Sequence, residues 1–278
     1  MKIKLVSWNV NSVRARLPLL KRLIREVSPD VLCLQEIKVE NACFPQSFFL
    51  DAGYSHAVIR GQKGYHGVAI LSRFALTSPG GRKWASRDDC RHAFATLPNG
   101  VELHNFYVPA GGDLPDPQIN PSFAYKLDFL DEMAAWFRQQ NARSKKAILL
   151  GDLNVAPLEM DVWSHRQLLK VVSHTPVEVE LLNQLLASAN WIDAVRHFVP
   201  ETNRLYSWWS YRARDWAHSD RGRRLDHIWI TSPLKAGLVS AEILKAARGW
   251  EKPSDHAPVL AILDWPMMQR ARAKKKRT

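Results

Sequence analysis

The sequence predicts a single α/β domain, and three observations support this. Short apolar segments of strand length alternate along the chain with segments whose apolar residues recur at helical spacing. No internal repeat or Ser/Gly-rich linker divides the chain. Its 278 residues are 46% hydrophobic, which is enough to form one large core.

The first forty residues predict two strands with a helix between them. The strands cover residues 3–8 and 31–34, and leucines at helical spacing place the helix over 17–27. Each strand ends in a polar side chain, Asn9 and Glu36 respectively. A carboxylate just beyond a buried strand is either a surface cap or a metal ligand, and the residues alone leave both open.

The next hundred residues continue the alternation of strands and helices. We predict a helix over 44–50, strands over 54–59, 67–72, 91–97 and 101–108, a loop over 111–120 and an amphipathic helix over 123–138. Tyr107 lies near the end of its strand. Its phenol could contact a phosphate, although tyrosine is also common within strands.

The segment Ala147–Pro157 is central to the functional prediction. Its four apolar residues, 147–150, predict a buried strand, and Asp152 and Asn154 follow directly. Ligands of open α/β sheets lie beyond the carboxyl ends of strands, where Asp152 could bind a metal or accept a proton from water. Asn154 could point the same way, toward an oxyanion. The alternative is an ordinary turn, because Gly, Asp and Asn favour turns.

The last third of the chain predicts a helix over 179–187 and strands over 225–231 and 257–263. Asp226 lies near the start of one strand, and Asp255 and His256 precede the other. The segment 203–214 interleaves aromatic residues with arginines. This pattern suits stacking and phosphate contact, or else a strand packed by tryptophans on one face.

The charge of the chain favours a polyanionic partner. The formal net charge is +12, and the six basic residues after position 269, with no acidic residue among them, leave +6 for residues 1–269. Such a charge favours nucleic acid, although it could also serve solubility alone. We expect residues 266–278 to be a basic, disordered tail or an electrostatic arm on nucleic acid, and residues 1–265 to be the catalytic domain.

The cysteines and the N-terminus bear on the compartment. The three cysteines, Cys33, Cys43 and Cys90, form neither a disulfide framework nor a zinc motif, which favours a reducing cytoplasm. The N-terminus reaches the polar Asn9 too early for a signal peptide, and no apolar segment is long enough to span a membrane.

The polar residues at the strand ends share one chemistry. They supply mainly carboxylate and amide oxygens, which suit Mg²⁺, and His256 adds a group that can be protonated near pH 7. A metal, a base and a cationic acid are what phosphodiester hydrolysis requires. The sequence therefore predicts metal-assisted phosphate chemistry.

Eight motifs occur in one order along the chain and make it resemble a known family. They are WNVNSVR (8–14), LQEIK (34–38), GVAILSR (67–73), YVP (107–109), GDLNVAP (151–157), WWSYR (208–212), RLDHIW (224–229) and SDHAP (254–258). Together they resemble the exonuclease III branch of the AP endonuclease family, within the endonuclease/exonuclease/phosphatase superfamily. This resemblance covers about residues 1–265. It implies a DNase I-like, four-layered sandwich of two packed sheets flanked by helices.

The resemblance also implies roles for the matching residues. Mg²⁺, for which Mn²⁺ could substitute, would be bound by residues from the set Asn9, Glu36, Asp152, Asn154, Asp255 and His256, with Asp255 at a second metal position. Tyr107 would contact the scissile phosphate. Asp152 would activate or position the attacking water, or protonate the leaving group, and Asn154 would orient that water and contact the phosphate. His256, oriented by Asp226, would stabilise the pentacovalent intermediate. Substrate contacts would come from Asn11, Trp208, Arg212, Arg223 and Leu225.

Two departures from the family pattern concern the substrate. Relatives commonly carry an amide side chain after the YVP motif, whereas this chain has Ala110-Gly111-Gly112. Either a backbone N–H of the glycines substitutes for the amide, or that contact is lost. Trp208 and Leu225 match positions that line a pocket for an extruded abasic sugar. The third pocket position is apolar in some relatives but is Arg223 here. The balance between abasic-site cleavage and 3′-to-5′ exonuclease activity stays open on this basis.

We therefore expect a monomeric, cytoplasmic, Mg²⁺-dependent DNA repair nuclease. It would act on double-stranded DNA with abasic sites or damaged 3′ ends, and would have no membrane partner. The rival hypotheses are a superfamily phosphodiesterase acting on a small or lipid phosphate, and a catalytically silent DNA-binding protein on the same fold.

Overall fold

The computed structural model describes residues 1–213 and 215–264. Its strands are β1 Lys2–Asn9, β2 Val31–Gln35, β3 His56–Arg60, β4 Val68–Ser72, β5 Thr77–Gly80, β6 His92–Thr96, β7 Glu102–Tyr107, β8 Ala147–Asp152, β9 Ile192–Asp193, β10 Trp208–Trp209, β11 Gly222–Arg223, β12 Asp226–Ile230, β13 Leu238–Ile243 and β14 Val259–Asp264. The α-helices are α1 Leu17–Val27, α2 Gln46–Asp51, α3 Pro121–Gln139, α4 His165–Leu168, α5 Pro176–Ser188 and α6 Trp216–Ser219. Short 3-10 helices cover Arg14–Arg16, Asn41–Cys43, Ala142–Ser144, Glu159–Asp161, Ser232–Gly237 and Lys245–Gly249.

Two six-stranded sheets pack face to face between helices. Their strand orders are β13-β14-β1-β2-β4-β3 and β5-β6-β7-β8-β12-β9. Apolar side chains of both sheets, such as Val31 and Leu150, form the central core. Helix α1 buries Leu20 and Leu23 against the outer face of the first sheet, and α3 and α5 cover the second. This is the four-layered sandwich that the sequence predicted.

The strand directions bring the polar strand ends together. Strand β1 is parallel to β2, and β7 is parallel to β8, so the carboxyl ends of each pair lie side by side. Strand β12 runs antiparallel to β8, and its first residue, Asp226, lies opposite Asp152. One edge of the sandwich therefore collects polar residues from both sheets.

Several elements differ from the sequence prediction. Strands β5, β9 and β13 were not predicted, and each lies at the edge of its sheet. Helix α5 begins at Pro176, three residues before its predicted start, because Thr175 and Glu178 form a capping box there. The basic tail lies outside the described residues. None of the helices in the described part of the chain is long and apolar enough to cross a membrane.

Candidate active site

The two sheets are joined at their polar edge by the side chain of Asn9. Its Nδ2 donates to Glu36 Oε1 at 3.0 Å and to Asp152 Oδ2 at 2.8 Å. Its Oδ1 accepts from the backbone N–H of Asn11 at 3.0 Å. Because the amide nitrogen faces the carboxylates and the oxygen is already bonded, Asn9 orients the acids that could bind a metal.

Local backbone geometry presents the acids and amides at this edge. Gly151 lies within β8, where a Cβ would come within 1.9 Å of Phe106 O, so only glycine allows this approach of β8 to β7. Asp152 is consequently the last residue of a strand and not part of a turn. Glu36 and Asn154 both adopt left-handed backbone, at φ +50° and +54°, as the chain turns away from its strands. Such conformations cluster at functional sites.

Glu36 lies among three hydrogen-bond donors. Tyr107 Oη donates to Oε1 at 2.7 Å, and Lys38 Nζ lies 2.8 Å from Oε2. Burial by itself raises the pKa of Glu36, but the hydrogen bonds from Asn9 and Lys38 and the lysine charge outweigh it and lower the pKa to about 2. Glu36 is therefore a carboxylate at neutral pH. Burial and the nearby Glu36 charge raise the pKa of Tyr107, which keeps its phenol protonated.

His256 lies between two buried carboxylates. Its Nδ1 is 2.8 Å from Asp226 Oδ2, and its Nε2 is 3.7 Å from Asp152 Oδ2. Burial lowers the pKa of the imidazole, but the charges of Asp226 and Asp152 outweigh this and raise it to about 10. Ser207 Oγ donates to the same Asp226 oxygen at 2.6 Å. The arrangement holds His256 as an oriented cation.

Asp152 ends strand β8, and Asn154 lies two residues beyond it. Burial raises the pKa of Asp152, the charge of His256 lowers it and the charge of Asp226 raises it again. The resulting pKa is about 7. The backbone N–H of Asn154 donates to Asp152 Oδ1 at 3.0 Å, and its Nδ2 donates to Val108 O at 2.9 Å. The amide oxygen of Asn154 and the second N–H bond of its Nδ2 remain available to water or substrate. The oxygen can accept a hydrogen bond from water and the N–H can donate one to an oxyanion, so the contact predicted from the sequence stays a prediction.

The residues at this edge fit a divalent cation. One ligand atom each from Glu36, Asp152 and His256 lies within 4.8 Å of the others, and among the described residues this is the only such group. The two carboxylates supply the hard oxygens that Mg²⁺ prefers. His256 is hydrogen-bonded to Asp226, and its raised pKa favours the imidazolium form, which suits a phosphate better than a metal.

A cavity of about 710 Å³ opens beside these groups. Its wall contains the acids Glu36, Asp113, Asp152 and Asp255 and the arginines Arg212, Arg221 and Arg223. Further residues of its wall are Tyr107, Ala110, Gly112, Asn154, Trp163, Trp208, Leu225 and His256. Trp208 Nε1 donates to Asp255 Oδ2 at 3.0 Å, which fixes the indole in the wall.

With this geometry established, comparison with known proteins gives the family. Residues 6–256 match the Endonuclease/Exonuclease/phosphatase family. The chain belongs to this family. It is therefore a hydrolase of phosphodiester bonds, as the sequence predicted.

The chain is similar to several members of this family over almost its whole length. It is 30% identical to exodeoxyribonuclease III of Haemophilus influenzae, over 93% of this chain and 99% of that protein. Its fold matches the structure of an AP endonuclease from Archaeoglobus fulgidus with a TM-score of 0.88 and 32% identity, over 95% of this chain and 100% of that one. It also matches a Neisseria 3′ phosphatase, NExo, bound to product DNA hairpin, with a TM-score of 0.87 and 31% identity, over 95% of this chain and 100% of that one.

Most of the predicted site residues line the cavity. Two of the predicted residues, Asp255 and Asn11, are bonded to other protein side chains. Asp255 accepts from Asn11 Nδ2 at 3.2 Å as well as from Trp208, and it does not join the candidate metal group. Asn11 itself is held between Asp255 and Lys38, whose Nζ lies 2.6 Å from Asn11 Oδ1. The predicted second metal position at Asp255 stays a prediction.

The aromatic segment 203–214 combines both predicted alternatives. Trp209 is buried against Tyr206 and Ala257, as a strand tryptophan would be. Its neighbour Trp208 faces the cavity, as a stacking residue would. Strand alternation explains the difference, because adjacent side chains point to opposite faces.

Sequence reasoning missed a buried ion pair beneath the site. Lys126 of α3 and Glu178 of α5 are both completely buried and hydrogen-bonded to each other. Lys126 Nζ also donates to Asn154 O at 2.8 Å and to Ala110 O at 3.3 Å, so it connects the loops after β8 and β7. The capping-box spacing of Thr175 and Glu178 was the available signal, but it could not reveal the lysine partner.

Proposed function

We propose that this protein is a Mg²⁺-dependent DNA repair nuclease. It hydrolyses the phosphodiester 5′ to an abasic site, leaving a 3′-hydroxyl, and removes nucleotides or blocking groups from the 3′ ends of duplex DNA. The observation that carries the proposal is the juxtaposition of two carboxylates and a cationic imidazole with a tryptophan-walled cavity. The names of its relatives, an exodeoxyribonuclease III, an AP endonuclease and a 3′ phosphatase, support the same class.

The chemistry follows from the charges of the site. A metal held by Glu36 and Asp152 supplies Lewis-acid stabilisation of the phosphate charge when it is bound. Asp152 and the amide oxygen of Asn154 hold and orient the attacking water. The imidazolium of His256, fixed by Asp226, stabilises the negative charge that grows on the phosphate oxygens. Tyr107 keeps the carboxylate of Glu36 in place and presents its phenol toward the scissile phosphate.

Substrate choice follows from the cavity and from the charge of the chain. A nucleotide without a base is cheaper to extrude from a duplex than a complete one, and Trp208 and Leu225 give its sugar an apolar surface. Arg212 and the general positive charge attract the phosphate backbone. We further propose that the protein acts as a monomer whose catalytic domain spans residues 1–265, followed by a basic tail.

The test uses a labelled duplex that carries one abasic-site analogue and a matched undamaged duplex. Each is incubated with Mg²⁺, with Mg²⁺ and EDTA, and with Asp152→Ala. We expect a cut 5′ to the lesion that requires Mg²⁺ and is lost in the variant. Asp131→Ala, which removes an exposed acid of α3, should cleave normally.

Other outcomes separate the rival hypotheses. Shortening of the undamaged duplex from its 3′ ends, without incision at the lesion, would restrict the function to exonuclease work. Binding of both duplexes without cleavage would favour a catalytically silent DNA-binding protein. Weak binding without cleavage would contradict the DNA repair proposal and direct attention to small phosphate esters.

A further inference from the structure

Arg223 has an unusual position in the wall of the cavity. In strand β11 it pairs directly with Trp208 of β10, which in turn pairs with His256. The three residues therefore lie in order on neighbouring strands, and the strand of Arg223 is about 10 Å from that of His256. The guanidinium carbon lies 5.3 Å from the centre of the Trp208 ring.

The guanidinium of Arg223 is only partly satisfied. Its Nη1 donates to Val172 O at 3.0 Å and to Ser173 Oγ at 2.8 Å, which uses two of its five N–H bonds. Its Nε is buried and has no hydrogen-bond partner in the described part of the chain. Within residues 1–213 and 215–264, Nη2 also has no acceptor and no carboxylate lies within 4.0 Å of the group. The more distant Glu178 is already bonded to Lys126.

The next residue in the sequence shows the contrast. Arg224 is buried and lies 2.8 Å from Asp161 and 2.5 Å from Asp193, so its charge is neutralised inside the protein. Arg223 is a half-buried cation without such a counter-ion, and it faces the cavity where the substrate is proposed to bind. A cation in this setting is best satisfied by an anionic group of the ligand.

We propose that Arg223 forms an anion subsite for a 3′-terminal remnant that carries a carboxylate, as in a 3′-phosphoglycolate end. The guanidinium contacts the carboxylate while the adjoining phosphate occupies the site between Asp152 and His256. An uncharged abasic deoxyribose offers the guanidinium only neutral hydroxyl and ring oxygens, and hydrogen bonds to neutral acceptors are weaker than those to a carboxylate. The protein should therefore prefer charged 3′ fragments over neutral ones. This inference rests on the proposed function and specifies its substrate.

The reaction at such an end is a simple hydrolysis. The oxygen of water forms a bond to phosphorus, and the bond between phosphorus and the 3′ oxygen breaks. The 3′ oxygen gains a proton and becomes the 3′-hydroxyl, while the second proton of water is released from the attacking oxygen. The products are DNA with a free 3′ end and phosphoglycolate.

The test compares two recessed duplexes that differ only at the 3′ end. One carries a 3′-phosphoglycolate, and the other carries the neutral 2-hydroxyethyl ester of the same phosphate. We expect kcat/KM of the wild-type protein to be higher for the glycolate, and Arg223→Leu to lower the ratio of the two values by about 10- to 100-fold, the range for a charged hydrogen bond. Arg223→Lys should retain part of the preference. Arg143→Leu, which removes an exposed arginine, should leave the ratio unchanged.

An equal ratio for wild type and Arg223→Leu, with both ends still processed, would overturn the subsite and leave the proposed function standing. Failure of the wild-type protein on both ends and on an abasic duplex would overturn the proposed function together with the subsite. An inhibition measurement on the wild-type protein tests the subsite even if the variants do not fold. Free 2-phosphoglycolate should inhibit hydrolysis of the neutral ester about tenfold more strongly than 2-hydroxyethyl phosphate does, and equal inhibition would count against the subsite.

Discussion

Asp226 illustrates how one buried carboxylate determines the charge of a neighbouring group. It bonds His256 Nδ1, and Ser207 Oγ fixes the same oxygen, so the imidazole is both oriented and cationic. Neither Ser207 nor Asp226 lines the cavity, and both act on it through His256. Their contribution to catalysis is therefore expected to be positional and electrostatic.

We predict that Asp226→Asn lowers kcat by about 10- to 100-fold, because loss of the carboxylate lowers the pKa of His256 and weakens its charge in the transition state. The KM for a nicked or abasic duplex should change little. Steady-state kinetics at several pH values measure both constants. Ser207→Ala should give a smaller loss of the same kind, and an unchanged kcat in Asp226→Asn would contradict the role of the pair.

Gly151 is the residue whose absence of a side chain matters most to the site. Its φ is +134°, and a Cβ there would lie 1.9 Å from Phe106 O. We predict that Gly151→Ala lowers the free energy of unfolding by at least about 3 kcal/mol, because β8 must move away from β7. Urea unfolding measures this loss. Gly64→Ala, at φ +77° but in open space, should cost only about 1–2 kcal/mol.

At the scale of elements, the predicted strands are those of the sheet interiors. Buried strands such as β4 and β8 have continuous apolar runs that the sequence displays directly. The unpredicted β5, β9 and β13 are edge strands, which are short or partly exposed and lack that pattern. Pairing with an inner strand decides their conformation, and no local pattern records such pairing.

Helices α3 and α5 are connected by the buried pair of Lys126 and Glu178. We predict that Lys126→Met lowers the free energy of unfolding by about 3–5 kcal/mol, because Glu178 is left as an unpaired buried charge. It should also lower kcat, since Asn154 O and Ala110 O lose their shared donor. Urea unfolding and kinetics test both effects. Lys145→Met, which breaks a partly exposed pair with Glu102, should cost less than about 1 kcal/mol.

Strands β6 and β7 place His92 and His104 in an aromatic layer, with Nε2 and Nδ1 3.2 Å apart. Burial lowers the pKa of both groups, strongly for His92. The unfolded chain therefore takes up protons that the folded protein does not as the pH falls below about 6.5. The stability that these two groups contribute should be complete above that pH and decrease below it, by about 1.4 kcal/mol at one pH unit lower for His92, whose pKa is lowered most.

Urea unfolding at pH 7.5 and 5.5 tests this expectation. His92→Phe keeps the stacking on Phe106, whose ring centre lies 4.1 Å away, but removes one titrating group. The loss of stability between the two pH values should be smaller in this variant by about 1 kcal/mol. His56→Phe, at an exposed position, should behave as the wild type. Equal losses in both variants would show that His92 does not resist protonation.

For the whole molecule, the distribution of charge suggests a distinct role for the C-terminus. Residues 270–277 contribute six positive charges of the total of +12. We predict that deletion of residues 266–278 makes the plot of log association constant for duplex DNA against log salt less steep, by up to about 5 in slope. Each phosphate contact that is lost leaves its counterions bound to the DNA. Fluorescence anisotropy at several salt concentrations measures the slope. A full-length variant with glutamine at the six basic positions should match the deletion, and an unchanged slope would show that the tail does not contact DNA.

The chemistry of this protein and the plan of its fold could be predicted from local patterns in the chain. Apolar runs ending in Glu36 and Asp152 predicted buried strands with acidic ends, because both features are local. The motif order gave the family resemblance, and with it the two-sheet sandwich. Which groups meet, and how each is hydrogen-bonded, could be seen only in the folded chain. The Asn9 amide turns its nitrogen to the acids, Lys126 pairs with Glu178, and Arg223 has no counter-ion among the residues that the structure describes. Such contacts join residues distant in the chain, and they depend on strand direction and packing, which no local pattern encodes.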